Sequence, residues 1–264
     1  MKKLIKSLIP PILLEGVRKI KSRQYGWKGD YNTWQEAENT ATGYDTDEIL
    51  KTVTSSLLKV KNGEAVYERD SVIFDKIQYS WPLLSGLMFC AAKSGGTLQV
   101  VDFGGSLGST YFQNKKFLDK LDNVNWNIIE QKHFVDIGKN KFEDERLKFF
   151  YNIDECIEKE NPSVLLLSGV LQYIEKPYEL LDDILKNNFE YILIDRTPFC
   201  KINEKITLQI VPPDIYEASY PCRFLNEKEF IRYLGDKNYK VIESFCALDG
   251  EDFKGIILEI VKDV

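Results

Sequence analysis

Histidine and closely spaced cysteine pairs are what this sequence lacks most. The 264 residues include a single histidine, His133, and five cysteines that never form a C-x-x-C pair. An odd, scattered set of cysteines does not build a disulfide framework or a zinc site, and a lone histidine excludes a histidine-rich metal centre. Magnesium held by carboxylates stays open, because that ion needs only oxygen ligands. The cysteine pattern favours a protein of the reducing cytoplasm.

The chain also lacks an excess of basic residues. Lysine and arginine number 35 against 41 aspartates and glutamates, which gives a net charge of −6. A general nucleic-acid binder carries the opposite balance of charge. We therefore expect no nucleic-acid partner.

Long hydrophobic runs are missing from the N-terminal region. The apolar residues 8–14 include Pro10 and Pro11, and the run is far shorter than the roughly 20 residues of a membrane-spanning helix. No signal-peptide pattern follows it. Residues 1–28 carry eight Lys or Arg against one acid, Glu15, and form a basic N-terminal arm. The arm either packs on the domain and frays, or makes a peripheral contact with the anionic inner membrane face.

Residues 98–108, LQVVDFGGSLG, are the stretch on which the remaining predictions depend. Apolar, partly β-branched residues lead into Asp102 and then into a glycine-rich turn. This is typical of a buried parallel strand that ends in a tight ligand-facing turn, followed by a helix whose first N–H groups point at the ligand. Ser106 and Ser109 stand where a dinucleotide fingerprint needs glycines. The spacing fits acid-x-Gly-x-small-x-Gly and indicates a nucleotide-type pocket.

From this stretch onward, predicted strands alternate with predicted helices. Runs such as VLLLS and YILI are apolar on both faces, as strands between two helical layers must be. The predicted strands are residues 98–103, 124–130, 147–151, 164–168, 191–195, 239–246 and 255–261. The pattern predicts an α/β fold with a mostly parallel seven-stranded sheet.

Two further regions complete the predicted domain organisation. Residues 29–94 are predicted to form an N-terminal helical extension, which caps the main domain of residues 95–264. The last helix of this cap is predicted to start or kink near Pro82. Within that domain, residues 197–225 contain four of the nine prolines. We expect this insertion to form a mobile lid or wall at the active-site edge.

The glycine-rich stretch resembles the first motif of class I S-adenosylmethionine-dependent methyltransferases, acid-x-Gly-x-Gly-x-Gly, with Ser106 in place of the middle glycine. Over most of its length the chain is similar to a bacterial family of methyltransferases found with surface-polysaccharide genes. The segments that carry this resemblance are GYDTDEIL, VYERDSVIFD, VVDFGGSLGSTYFQN, WNIIEQ, LLLSGVLQYIEKPYELL, ILIDRTPF and LQIVPPDIYEASYP. The resemblance implies a Rossmann-like methyltransferase fold with an antiparallel last strand, and S-adenosyl-L-methionine as cofactor.

Glu130 is the most informative single residue. It ends the second predicted strand, where a carboxylate accepts hydrogen bonds from the ribose hydroxyls of an adenosine, in methyltransferases and nicotinamide enzymes alike. The resemblance implies that Asp102 braces the glycine turn. It also implies that Asn152 or Asp154 contacts adenine, although either residue could equally well cap the helix that follows. The predicted cofactor-binding residues are Asp102, Gly104, Gly105, Ser106, Gly108, Glu130, Asn152, Asp154, Ser168 and Gly169.

The acceptor side is predicted from the ends of the fourth and fifth strands, since open α/β sheets bind ligands at the carboxyl ends of their strands. Gln172, Tyr173 and Arg196 are the candidate substrate contacts. A base is needed only if the acceptor is a hydroxyl, and the candidates are His133, Tyr173 and Asp195. A capping or surface role for His133, and a buried ion pair of Asp195 with Arg196, remain alternatives.

Taken with the resemblance, these residues predict an enzyme that methylates an oxygen of a sugar or surface-glycan precursor. A non-catalytic adenosyl-binding protein is the main alternative, because no catalytic residue is unmistakable. An NAD(P)-dependent oxidoreductase fits less well. The sequence lacks the third glycine at the spacing of the dinucleotide fingerprint, and it has no well-placed catalytic Tyr/Lys pair or set of metal ligands.

Overall fold

The structure is a computed structural model that describes residues 25–44, 46–213 and 215–262. Most of the predicted basic arm, residues 1–24, lies outside the described residues. The chain divides into two compact units. The smaller comprises the residues up to 45 together with 206–222, and the larger comprises 46–205 and 223–264.

The smaller unit opens with a strand that the sequence did not predict. Strand β1 (Gly26–Tyr31) is followed by helix α1 (Trp34–Thr40) and the two-residue strand β2 (Gly43–Tyr44). Helix α1 begins where the Thr33 side chain accepts a hydrogen bond from the Glu36 N–H. This hydroxyl satisfies one of the N–H groups that the first turn leaves without an intrahelical partner.

The larger unit opens with helix α2 (Thr46–Lys61), a hairpin of strands β3 (Tyr67–Arg69) and β4 (Val72–Phe74), and helix α3 (Trp81–Lys93). The hairpin adds β-structure to the predicted helical extension. Its turn residues, Asp70 and Ser71, both have positive φ, 52° and 70°. Such a two-residue turn matches the right-handed twist of paired strands. Helix α3 has Pro82 in its first turn, one of the two predicted alternatives.

The central part of the larger unit alternates strand and helix as predicted. In chain order, the elements are β5 (Thr97–Phe103), α4 (Ser109–Leu118), β6 (Asn123–Ile129), α5 (Lys132–Lys141), β7 (Leu147–Phe150), α6 (Ile153–Glu160), β8 (Val164–Ser168), α7 (Pro177–Ile184) and β9 (Tyr191–Cys200). Strands β5 to β9 in this series pair in parallel.

The predicted insertion is mostly strand rather than irregular loop. Strand β10 (Lys205–Ile210) and strand β11 (Ala218–Asn226) occupy it, and β9 runs on to Cys200, beyond the predicted end at 195. Its proline content suggested a break, but Pro198 pairs opposite Phe253 and Pro221 lies inside β11. In the smaller unit the strands lie in the order β1, β10, β11, β2.

The chain ends with helix α8 (Glu227–Asp236) and strands β12 (Tyr239–Cys246) and β13 (Phe253–Ile260). Strand β13 is antiparallel to both β9 and β12. The sheet of the larger unit therefore runs β7, β6, β5, β8, β9, β13, β12. The expected seven-stranded Rossmann-like sheet with an inserted antiparallel last strand is confirmed by this order.

Two hydrophobic clusters cover the two faces of this sheet. On one face, Val100, Trp126 and Leu193 pack with apolar residues of α2, α3, α4 and α5. On the other, Val101 and Ile192 pack with residues of α6, α7 and α8. These strands bury both faces, which explains why their sequences are apolar without alternation. Within the described residues no helix is long and apolar enough to cross a membrane.

Candidate functional site

The glycine turn joins β5 to α4 at the carboxyl edge of the sheet. Gly104 has φ +72° and its N–H donates to the Ile129 carbonyl at 2.9 Å. A Cβ at Gly104 would lie 2.6 Å from Cγ2 of Val170, so the glycine is required by packing as well as by its positive φ. Ser106 also has positive φ, +53°. The serine thus adopts the left-handed conformation for which the related motif uses glycine.

Asp102 lies directly beneath this turn. It is 1% exposed, and its Oδ2 accepts a 3.0 Å hydrogen bond from the indole Nε1 of Trp126. A Cβ at Gly105 would lie 2.5 Å from the Asp102 Cγ. Burial raises the pKa of Asp102 to about 7, against the lowering effect of the Trp126 hydrogen bond. The carboxyl therefore packs against the turn from inside the protein.

Glu130 follows β6 and reaches across to the same turn. Its Oε2 accepts a 2.7 Å hydrogen bond from the Gln131 N–H. Burial raises its pKa, while hydrogen bonds from the backbone N–H groups of Gln131 and Ser106 and the charge of His133 lower it. The Glu130 side chain is partly buried beside the turn. Lys132 bonds to Asp136 instead of Glu130.

His133 lies near Glu130 at the start of α5. Its ring centroid is 5.3 Å from that of Phe134. The buried Nε2 has no hydrogen-bond partner among the described residues. The ring thus lies beside Glu130, the carboxylate that is predicted to bind ribose.

The Asn152 side chain caps helix α6. Its Oδ1 accepts a 2.9 Å hydrogen bond from the Glu155 N–H. Asp154 lies in the first turn of the same helix and is exposed. Of the two interpretations open for Asn152, the structure displays the capping role. The side-chain oxygen accepts from an N–H group that otherwise has no partner within the helix.

The ends of β8 and β9 meet through backbone contacts. Ser168 and Asp195 are register partners, and the Gly169 N–H donates to the Asp195 carbonyl at 3.0 Å. A short 3₁₀ helix, Leu171–Tyr173, follows. Within it, the buried Gln172 donates through Nε2 to the Arg196 carbonyl at 3.2 Å. The structure thus brings together Ser168 and Gly169, predicted to bind the cofactor, Gln172, predicted to contact the substrate, and the β9 pair Asp195 and Arg196.

Asp195 is 2% exposed, and its Oδ1 has no hydrogen-bond partner within the described part of the chain. Burial raises its pKa to about 6, and the negative charge of Asp249 acts in the same direction. The Arg196 charge and backbone N–H, and the Ser80 side chain, lower the pKa. The charge of Arg196 and the hydrogen bonds to the Asp195 carboxyl therefore do not fully offset the loss of water around it at the edge of the sheet.

Arg196 makes contacts that the sequence did not predict. Its Nε and Nη2 bond to Asp249 in the β12–β13 loop at 3.0–3.2 Å, and its Nη2 bonds to Asp70 in the hairpin turn at 2.6 Å. Burial lowers the pKa of Arg196, but these two carboxylates outweigh it and raise the pKa. Arg196 thus joins the hairpin to the β12–β13 loop, and its predicted contact with substrate stays a prediction.

Sequence reasoning missed the hairpin and its polar anchors. Glu68 is buried and accepts a 2.7 Å hydrogen bond from the Ser109 hydroxyl, at the first residue of α4. Burial raises the pKa of Glu68. The pattern VYERDSVIF, with apolar residues on both sides of an Asp-Ser turn, is the signal that would have indicated this hairpin.

An aromatic cluster lies where α3 begins. Tyr79, just before the helix, and Trp81, its first residue, lie 4.8 Å apart by ring centroids, and both contact Phe117 of α4. Trp81 is 57% exposed, so the cluster lies on the surface of the larger unit.

No group of three or more potential metal ligands is found among the described residues. A groove of about 610 Å³ lies between α2 and α5, and a depression of about 290 Å³ lies beside Glu190 and Lys240. Neither is lined by a predicted site residue.

No protein-family model and no curated protein matches the chain. Among solved structures, it is similar to the mitomycin 7-O-methyltransferase MmcR, at 14% identity and a TM-score of 0.45, over 67% of this chain and 54% of that one. It is also similar to the N-terminal domain of EvdMO1, solved with SAH and D-fucose, at 12% identity and a TM-score of 0.48, over 83% and 98% of the two chains. A third is the 1,6-didemethyltoxoflavin-N1-methyltransferase of Burkholderia thailandensis, at 11% identity and a TM-score of 0.44, over 84% and 95%.

The chain spans little more than half the length of the mitomycin enzyme. Because these identities and TM-scores are low, the fold assignment rests on the strand order and register described above.

Proposed function

We propose that this chain transfers a methyl group from S-adenosyl-L-methionine to an oxygen of a small molecule, a sugar or surface-glycan precursor. The observation that carries the proposal is the glycine turn, which Asp102 supports from beneath and Glu130 meets from the neighbouring strand. It lies at the carboxyl edge of a sheet with the strand order expected of class I methyltransferases. The choice of a sugar acceptor rests on the family resemblance alone.

The residues at this edge fit an adenosyl cofactor. Glu130 presents a carboxylate for the ribose hydroxyls, and Gly104, Ser106 and Gly108, all with positive φ, turn the chain sharply into α4. When bound, the cofactor supplies an activated methyl group on a sulfonium. What the protein must add is alignment of the acceptor oxygen with the breaking S–C bond.

Calorimetric titration of the purified chain with S-adenosylmethionine, S-adenosylhomocysteine and NADH tests the proposal. We expect the two adenosyl ligands to bind and NADH to bind at least about tenfold more weakly, a difference of roughly 1.4 kcal/mol. Preference for NADH would favour the oxidoreductase alternative and overturn the proposal. Binding of the adenosyl ligands without methyl transfer to any acceptor would favour the non-catalytic alternative.

We further propose that residues 1–28 give the protein a peripheral contact with the anionic inner face of the membrane, with the enzyme itself in the cytoplasm. The support is the charge of this segment, eight basic residues against one acid. Sedimentation with anionic vesicles should show binding that salt weakens and that removal of residues 1–28 abolishes. Equal binding by the shortened chain would refute the contact.

A further inference from the structure

Two buried hydrogen-bond acceptors at the acceptor side of the site have no partner among the described residues. They are Oδ1 of Asp195 and Oε1 of Gln172, and each residue is 2% exposed. A buried oxygen without a hydrogen bond costs free energy, so native structures rarely retain one without a reason such as a ligand. Both atoms are acceptors when the carboxyl is ionised, which means that the missing partner is a donor.

Hydrogen bonds to two backbone carbonyls of β9 hold this region in place. The Gly169 N–H donates to the Asp195 carbonyl, and the Gln172 Nε2 donates to the Arg196 carbonyl. Gln172 therefore has its donor group occupied within the protein, while its acceptor oxygen stays available. This arrangement fixes the amide orientation, because turning it over would place an oxygen against the Arg196 carbonyl.

The charged groups around Asp195 do not supply the missing donor. From its own strand, Arg196 faces it but already binds Asp70 and Asp249. From the β12–β13 loop, Asp249 adds a second negative charge. From the segment before α3, Ser80 contributes a neutral hydroxyl. The Arg196 backbone N–H and the Ser80 hydroxyl also hydrogen-bond to the Asp195 carboxyl, yet Oδ1 has no partner among the described residues, so this oxygen is left to accept a bond from a bound molecule.

We propose that Asp195 and Gln172 form the recognition site for the hydrogen-bond donor on the methyl acceptor, and that Asp195 takes the proton of the methylated hydroxyl. The site selects a hydroxyl or an ammonium group and disfavours a carboxylate or phosphate at this point, since an anion would face two oxygens. This inference rests on the proposed methyl transfer and names its substrate class: a neutral polyol or an amine.

The proposed step balances in atoms and charge. The acceptor oxygen forms a bond to the methyl carbon while the S–C bond breaks, and the electron pair of that bond stays on sulfur, which leaves S-adenosylhomocysteine. The hydroxyl proton passes to the Asp195 carboxylate. A carboxyl with a pKa of about 6 is mostly ionised at neutral pH and can accept that proton as the hydroxyl becomes acidic in the transition state.

Three small probes test the recognition without knowledge of the natural acceptor: methylammonium, ethylene glycol and acetate. The carboxyl carbon of Asp195 is followed by NMR in the full chain with S-adenosylhomocysteine present, and its signal is assigned by its loss in Asp195→Asn. We expect saturable shifts with methylammonium and ethylene glycol. Methylammonium should also lower the pKa of Asp195 by roughly one unit, because a nearby cation favours the charged form.

The variants give matched comparisons. Gln172→Met keeps the shape and removes the acceptor oxygen, so both donor probes should bind about threefold to tenfold more weakly. Asp183→Asn, an exposed carboxylate paired with Lys186, should leave probe binding unchanged. Melting temperatures verify that each variant is folded, and the comparison of probes in the unaltered chain does not depend on any variant.

Acetate binding as tightly as methylammonium, or no shift of the Asp195 signal with either donor probe, would overturn the inference. Its failure is distinguishable from failure of the proposed function. If only this inference is wrong, S-adenosylhomocysteine still binds to the chain. If S-adenosylhomocysteine does not bind while the donor probes bind normally, the proposed methyl transfer is refuted.

Discussion

The indole Nε1 of Trp126 donates a 3.0 Å hydrogen bond to Oδ2 of Asp102, and both side chains are buried. The bond joins the strand that enters the glycine turn to the strand that carries Glu130. A neutral donor only partly offsets the loss of water around the carboxyl. The raised pKa of Asp102, about 7, follows from this imbalance and gives the first prediction.

Stability should fall as the pH rises from about 4 to about 7. Over that range the folded chain retains a proton on Asp102 that the unfolded chain, with a pKa of 3.8, has lost. Each pH unit between the two pKa values removes up to about 1.4 kcal/mol from the free energy of unfolding. Asp102→Asn keeps an acceptor for Trp126 and cannot ionise, so its urea-unfolding midpoint should vary less with pH. Asp195 contributes a smaller slope of the same sign in both proteins, and identical slopes in both would contradict the prediction.

Gly105→Ala should destabilise the chain and weaken cofactor binding, because the new Cβ would lie 2.5 Å from the Asp102 Cγ. Overpacking of this kind costs about 1 to 3 kcal/mol. Gly235→Ala in α8 is the matched control: a Cβ there meets no atom within 4 Å, so the change should stabilise the helix by about 0.5 to 1 kcal/mol. Chemical unfolding measures both. Equal effects of the two changes would show that the Asp102 contact does not matter.

Glu130→Gln should weaken S-adenosylmethionine binding by about one to two orders of magnitude, since each charge-assisted hydrogen bond contributes roughly 1.5 to 3 kcal/mol. The melting temperature without ligand should change little, because the glutamine can still accept from the Gln131 N–H. Calorimetry and thermal unfolding on the one variant test both statements. A lower melting temperature with unchanged affinity would assign Glu130 to the scaffold instead.

Asn152→Ala should lower the stability of the chain by about 1 kcal/mol, the usual effect of removing a helix N-cap. Cofactor affinity should stay within about twofold if capping is the whole role of the side chain. Asn152→Asp retains an acceptor for the Glu155 N–H and should recover the stability. A large loss of affinity in both variants would restore the adenine contact implied by the resemblance.

The central strands of the larger unit were predictable because runs such as VLLLS in β8 and YILI in β9 are apolar on both faces and end at polar residues. Asp102 and Glu130 could be placed for the same reason: each stands at or next to the end of such a strand.

The remaining features depend on partners far apart in the chain. Nothing local in IDRTP indicates that Arg196 binds Asp70 and Asp249, which lie 126 and 53 residues away. Strand β1 is specified by its pairing with β10, across some 180 residues of sequence, rather than by its own glycine-containing pattern. Proline content marked residues 197–225 as an insertion, but nothing local showed that Pro198 and Pro221 lie within strands.

The Arg196 clamp has a consequence for the order in which the chain folds. Asp70 is synthesised before Arg196, but Asp249 follows it by 53 residues, so a growing chain has only one of the two carboxylates until the β12–β13 loop has been made. Contacts of such sequence separation form late, because the intervening chain must be ordered first. A chain released before Asp249 therefore leaves this guanidinium with Asp70 alone.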